Sequence, residues 1–458
     1  MRKKFLILLF ISFLVSALSY FFLNFSIKQA FIIGVFSTSI LGTLFFWDFR
    51  VGFVFIGSGL MLLIHAVNLE DFVKYASLDV IWFLVGMMII LAMMKEAGVF
   101  YYLLTKILRI KKLDGEKLFI IILVVSWILS GLMDEVTSIL LILNIIFSIS
   151  ELLEVSPIPL IISSVITTNI GSATTVLGNP IGVLIAVRGK LSFEDFITHS
   201  LPVTLACLFV SIIILKIFYR KYISELSLKL KPHIENSHFL HLISIPMDKK
   251  TKFSVGLFVL TVILIALHRR LELLLSLEEN TILIMTPIII AGLILIINYE
   301  KATKYIEQEI EWNSLLFFLF LFAQSGVLQS SGIAVKIAGI ITNISKTNSN
   351  ILSLGFLFSS GFLSSVLDNV VVVASYIPVV LNLKNLSLQD SKFWWAILFG
   401  GCFGGNITLI GSTANIIALG LLEKKYHIKI KFFEWFKIGL IIGIITMLVS
   451  YVYLFFYK

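Results

Sequence analysis

Apolar runs of membrane-crossing length, separated by short polar breaks, recur along almost the whole chain. A helix needs roughly 20 mostly apolar residues to cross the hydrocarbon core of a bilayer. Eleven stretches meet that description, at about 5–24, 29–47, 51–67, 79–97, 156–188, 201–218, 253–268, 281–298, 312–328, 393–423 and 432–456. Two more, 118–150 and 350–383, are long enough for two passes but are interrupted near the middle. They read as re-entrant hairpins returning to the side they entered, with a full double crossing as the alternative. The pattern predicts an all-α polytopic membrane protein.

Composition agrees. Of 458 residues, 59% are hydrophobic and 14% charged, against about 45–50% and 25% in soluble domains. No room is left for a sizeable soluble domain. A net charge of +9 would point to nucleic acid only if the basic residues shared one exposed surface, and they are scattered over the loops. With Arg2, Lys3 and Lys4 inside, Lys and Arg number 24 on the cytoplasmic side and 11 outside, with Lys95 near a helix end. The positive-inside rule is then met, in a cell membrane with the N-terminus cytoplasmic and the C-terminus outside. The first apolar run exceeds the roughly 7–15 residues of a signal-peptide core and lacks a good cleavage site, so it is expected to remain as a helix. Cys207 and Cys402 both lie in apolar runs, which speaks against a disulfide framework or zinc cluster. No GxxxxGK[ST] occurs, so energy for transport would come from an ion gradient or a separate ATPase subunit. No nucleophile and base share a plausible aqueous face, and an enzyme is not expected.

Two local patterns recur at one spacing. LSGLMDEVTSILLIL, from Leu129, matches LSSVLDNVVVVASYI, from Leu363, pairing Asp134 with Asp368 at 234 residues. NIGSATTVLGNPIG, from Asn169, matches NITLIGSTAN, from Asn406, pairing Gly178 with Gly411 at 233. Gly98 and Gly332 form a weaker third match at 234. The chain then divides into an extra N-terminal helix (1–27), a first repeat (28–218), a basic cytoplasmic linker (219–252) and a second repeat (253–458). Each repeat holds five full spans, a hairpin and a broken helix. Five is odd, so the second unit would enter from the opposite side, the inverted-topology plan of many secondary transporters.

A carboxylate deep in a membrane segment is costly, and function is its default explanation. Asp134 and Glu135 sit at the first hairpin break, and Asp368 and Asn369 at the second. With Ser130, Thr137, Ser364 and Ser365 beside them, they suit Na⁺ or an exchangeable proton. The plainer reading of each Asp is a helix N-cap. Asn169, Gly171, Ser172, Thr174, Thr175, Gly178, Asn179 and Pro180 interrupt one span, and Gly404, Gly405, Asn406, Thr408, Gly411, Ser412, Thr413 and Asn415 interrupt another. Backbone without helical hydrogen bonds is tolerated at membrane depth only inside protein or along a wet cavity. Each break aims a half-helix N-terminus at the interruption, so a polar ion or oxyanion site is expected there, with Na⁺ near Asp134, Asp368, Asn169 and Asn406. Small residues that merely allow close helix packing are the alternative. Lys95 and Glu96 read as interfacial, and Asp48 and Arg50 as members of a short turn. The stretches 99–112 and 333–345 read as interfacial amphipathic helices. The seven histidines show no metal-ligand spacing and read as interfacial or loop residues.

These motifs resemble those of the arsenite permease and NhaD-type sodium/proton antiporter branch of the ion transporter superfamily. That branch includes the melanosomal P protein, with citrate and dicarboxylate permeases as more distant relatives. The likeness runs from about residue 28 to 456 and rests on the [LM]D[EN]V tips, TNIGSATTVLGNP and GGNITLIGSTANIIALG. It implies two inverted repeats, alternating access, and ion or carboxylate sites at Asn169, Thr174, Thr175 and Gly178 and at Asn406, Thr408, Gly411 and Asn415. Two departures stand out. The usual TLIGDPPN reads TVLGNPIG, from Thr175 to Gly182, and Glu135 stands where Asn is common. Negative charge has thus moved from the broken helix to the hairpin.

The expected function is secondary-active transport of a small anion or oxyanion, of arsenite or carboxylate type, coupled to Na⁺ or H⁺. A sodium/proton antiporter without an anion substrate, or the membrane subunit of an ATPase-driven pump docking through the basic 216–252 loop, are the alternatives. No cofactor is expected beyond the coupling ion. The expected partners are the lipid bilayer and a small ion substrate, with a homodimer left open.

Overall fold

The computed structural model describes residues 2–99, 102, 106, 113–235, 248–345, 348–383 and 391–457, and every regular element among them is helical. Eight helices are long and apolar enough to cross a membrane, or ten if each of two bent pairs counts as one span. The chain is a multi-pass helical membrane protein. Its apolar excess faces outward where expected: Phe10, Phe13, Phe21 and Phe22 of the first helix, Arg2–Phe22, are exposed. That helix leans on Ile27–Phe45 through small residues, with Ser16 Oγ donating to Ala30 O at 2.7 Å.

Several spans depart from the hydropathy reading for local reasons. The span read at 51–67 is a helix over Arg50–Leu63. It stops where His65 takes a left-handed φ of 50° and Asn68 caps the next helix, Leu69–Tyr75, by accepting from Asp71 N at 2.7 Å. Lys249–Ala266 bends by 65° into His268–Leu275, and Thr281–Ile297 by 101° into Tyr299–Glu309. His268, read as interfacial or in a loop, is instead buried at the first of these bends, its Nδ1 2.8 Å from Ile265 O.

The linker is also more ordered than a loop. Arg220–Glu235 is a helix whose Tyr222, Ile223, Leu226 and Leu230 are buried. Their spacing makes a single apolar face, which packs on the start of the first hairpin, where Gly115 N donates to Ser227 Oγ at 3.0 Å. Residues 236–247 lie outside the described residues, as does most of the stretch 99–112. Its counterpart is a helix, Ile333–Ser345, with Ile333, Ala334 and Ala338 buried on one side.

Two interrupted pairs and two broken helices make the centre. The first pair is Gly115–Leu132 with Glu135–Leu153, and the second Ser349–Ser364 with Asn369–Leu383. Both arms of the first are long enough to cross a bilayer alone, whereas those of the second are shorter. The first broken helix is Ile158–Gly171 followed by Pro180–Gly189, and the second is Lys392–Gly404 followed by Thr413–Tyr426. Gly98 and Gly332 each follow a 19-residue helix with φ of 72° and 75°. Only glycine takes that left-handed helix-ending conformation freely.

Candidate ion and substrate site

Each hairpin tip is tied to the break beside it by the same bonds. Ser130 Oγ donates to Thr168 O at 2.7 Å, and Ser364 Oγ to Gly401 O at 2.6 Å. Thr175 Oγ1 donates to Gly131 O at 2.5 Å, and Thr408 Oγ1 to Ser365 O. A Cβ on Gly178 would lie 2.8 Å from Ser130 O, and one on Gly411 would lie 2.8 Å from Ser364 O. All these pairs recur at 233 or 234 residues. Thr175, Thr408, Gly178 and Gly411 therefore fasten tip to break through backbone atoms. Thr174 has a further partner, Thr204 Oγ1, at 3.0 Å.

The outgoing half-helices are capped by residues singled out in the sequence. Asp134 Oδ1 accepts from Val136 N and Thr137 N at 3.0 and 2.9 Å. Asn179 Oδ1 accepts from Gly182 N at 2.7 Å, while its Nδ2 donates to Ser172 Oγ and Cys402 Sγ. Ser412 Oγ accepts from Ala414 N at 3.2 Å, and Asp368 Oδ1 from Val370 N at 3.0 Å. In each acid the cap uses one carboxylate oxygen and leaves the other over. Asp368 Oδ2 accepts from Thr413 Oγ1 at 2.6 Å, and the buried Asp134 Oδ2 has no partner among the described residues.

Glu135 joins three elements. Its carboxylate accepts from Asn369 Nδ2, at 3.2 and 3.3 Å, and from Ser412 Oγ at 3.2 Å. It is 2% exposed, and all of these partners are neutral. Nearby, Asn169 Nδ2 donates to Asn406 Oδ1 and Asn415 Oδ1, both at 2.9 Å. Asn415 Nδ2 in turn donates to Gly405 O and Thr408 O, at 2.8 Å each. All three asparagines are buried, and Asn169 Oδ1 and Asn406 Nδ2 are unpartnered among the described residues. The residues read as one site thus fall into an acidic group at the tips and an amide group between the two breaks. No three His, Cys, Asp or Glu among the described residues are grouped to hold a metal ion.

A cavity of about 480 Å³ reaches Asp134 and Thr137 past Lys95, Glu96, Lys304 and Glu309. That mouth is tied by ion pairs. Lys95 meets Glu309 at 2.8 Å, and Glu96 pairs with Lys250 and Lys301 and accepts from Tyr305 Oη at 2.7 Å. A narrower space of about 30 Å³ shares Met88, Asp134 and Glu311 with the cavity and also touches Glu135, Asp368 and Arg50.

Matches to known proteins agree with this architecture. The family model described as Citrate transporter (CitMHS) matches residues 43–345 and 336–458. The chain belongs to the citrate transporter family. The uncharacterized transporter Rv2684 of Mycobacterium tuberculosis is 30% identical over 384 residues, covering 82% of this chain and 85% of that one. The human P protein is 24% identical over 458 residues, covering 84% of this chain and 54% of that one. Among solved structures, the YdaH transporter of Alcanivorax borkumensis aligns with a TM-score of 0.55 at 14% identity, over 86% of this chain and 87% of that one. That last likeness concerns the fold.

In this citrate transporter family member, sequence reading missed two charged residues beside the acidic group. Arg50, taken as part of a turn, begins its helix with the guanidinium 4.1 Å from the Trp47 ring centroid and Nη2 donating to Ser314 Oγ at 3.0 Å. Glu311, just before the helix Trp312–Ser330, accepts from the same Ser314 hydroxyl at 3.1 Å. Both stand at helix starts, where charge ordinarily reads as interfacial. The overlooked signal was a Glu directly before a long apolar run.

Proposed function

We propose that this chain is a secondary transporter that carries a small anion or oxyanion by alternating access, coupled to Na⁺ or H⁺. The observation that carries the reading is Glu135. A buried carboxylate whose hydrogen-bond partners are all neutral is costly to leave ionised, so a cation or proton is its natural counterpart. Because it bridges both hairpin tips and the second break, neutralising it changes contacts in both halves at once. Citrate, in the description of the matching family, supports a carboxylate substrate, and the cavity volume lies within the roughly 300–1,000 Å³ range of small-molecule sites. Arsenite is the other candidate from the motif resemblance. In this reading the two units are inverted repeats, and the ion-paired mouth of the cavity faces the cytoplasm by the positive-inside count.

One observation favours a cation antiporter without an anion substrate: the cavity wall holds Glu96, Asp134, Glu309 and Glu311 against Lys95 and Lys304. Purified protein in liposomes separates the readings. Citrate or arsenite uptake that follows an imposed Na⁺ or pH gradient, without ATP, is the expected result. Gradient-driven Na⁺ flux indifferent to both anions would favour the antiporter, and ATP-dependent flux with a soluble partner would overturn both.

A further inference from the structure

Arg50 lies beside the acidic group without a counterpart in the other half, where the repeat spacing places Ile284. Its guanidinium stacks on Trp47 and lies 5.7 Å from the Phe317 ring centroid. One narrow space of about 30 Å³ is lined by Arg50 together with Asp134, Glu135, Glu311 and Asp368, four carboxylates around a single fixed cation. Even so, the side-chain hydrogen bond of Arg50 goes to a neutral hydroxyl, that of Ser314, which itself donates to Glu311. A guanidinium carries five N–H donors in a planar fork suited to carboxylates. Unmatched acceptors lie in the same group: Asp134 Oδ2, and Oδ1 of the fully buried Asn369, have no partner among the described residues. The space admits an ion or a water molecule, not a polycarboxylate.

We propose that Arg50 is a tethered counter-cation: when the transported cation leaves Asp134, Glu135 and Asp368, the guanidinium moves from Ser314 onto Asp368 and Glu311, so the unloaded carrier can change face. This inference rests on the gradient-coupled reading above. Its physical ground is that closing an empty site around bare carboxylates would strand buried charge, at several kcal/mol per ion. A bidentate guanidinium supplies the missing partner. Stacking on Trp47 and Phe317 parks that partner nearby through cation–π attraction while the transported cation is bound. The side chain thus alternates with the cargo instead of binding it.

The test uses the full chain in liposomes holding equal citrate on both sides at equal pH, as wild type, Arg50→Lys and Arg50→Gln. Exchange of radioactive Na⁺ against equal external Na⁺ needs only the loaded carrier. Net efflux into choline medium needs the unloaded return. Arg50→Gln is expected to keep exchange within about twofold and lose net efflux by about tenfold or more, the penalty of an uncompensated buried charge. Arg50→Lys keeps the charge and should retain much of the net efflux. In detergent, Arg50→Gln should also be stabilised against thermal unfolding by less Na⁺ than wild type, since nothing competes for the carboxylates. Parallel loss of exchange and net efflux, an unchanged ratio of the two, or wild-type exchange without net efflux would overturn the inference and leave the transporter reading intact. If wild type exchanges no Na⁺, the sodium-coupled reading fails, and an unchanged Na⁺ requirement for stabilising Arg50→Gln overturns the role of Arg50 separately.

Discussion

Glu135 and Asn369 occupy equivalent positions in the two halves, 234 residues apart, and they hydrogen-bond to each other. Equivalent residues meet only where the two units face one another, so this bond marks the central seam. Two carboxylates there could not both ionise at such a distance. One acid and one amide leave this pair with a single negative charge.

Replacing Glu135 by Gln keeps an acceptor for Ser412 and Asn369 but removes that charge. Thermal unfolding in detergent should change little, while gradient-driven uptake in liposomes falls to background. Glu135→Ala should in addition strand Asn369 and Ser412, destabilising the protein by about 1–3 kcal/mol. Normal coupled uptake by Glu135→Gln would remove the charge from the mechanism.

Asn369→Asp places a second carboxylate against the first. A lower melting temperature at neutral pH is expected, relieved when Glu135→Gln is added, with a coupling energy of about 0.5–3 kcal/mol between the two changes. Additive effects in the four-member cycle would show that the bond across the seam carries no energy.

Asp368→Asn separates cap from ion site. Asn caps a helix about as well as Asp, so stability should shift by less than about 1 kcal/mol. With its oxygen kept on Val370 N, the new amide would donate its NH2 to Thr413 Oγ1 instead of accepting from it, yet Na⁺ or H⁺ dependence should vanish. If the variant transports with unchanged ion dependence, Asp368 serves as a cap alone.

Gly178→Ala and Gly411→Ala test the close approach of tip and break. Each new methyl would lie 2.8 Å from a tip carbonyl oxygen and closer still to a carbonyl of its own break, Ser172 O for Gly178 or, at 2.6 Å, Gly405 O for Gly411, and relieving such overpacking typically costs about 1–3 kcal/mol. Both variants should lose folded yield in size-exclusion profiles, with any loss of uptake matching the loss of protein. A well-folded variant with specific loss of ion binding would instead make the glycine backbone part of the site.

The linear chain by itself determined the membrane class, most spans, the two breaks and the repeat spacing. Hydrophobic run length and small polar residues in apolar surroundings are local properties, readable without contacts. The same holds for the caps at Asp134 and Asp368, because caps are set by nearest neighbours. What only the tertiary structure decided is which polar groups share a space. Arg50 reads as part of a short turn in sequence and Glu311 draws no reading, since a charge at a helix start ordinarily meets water, and only packing brings them to the hairpin tips. The pairing of Glu135 with Asn369, and of Asn169 with Asn406, likewise depends on how the two halves face each other across more than 230 residues. Periodicity sets which face of a helix is polar; only the assembled helices determine what that face meets.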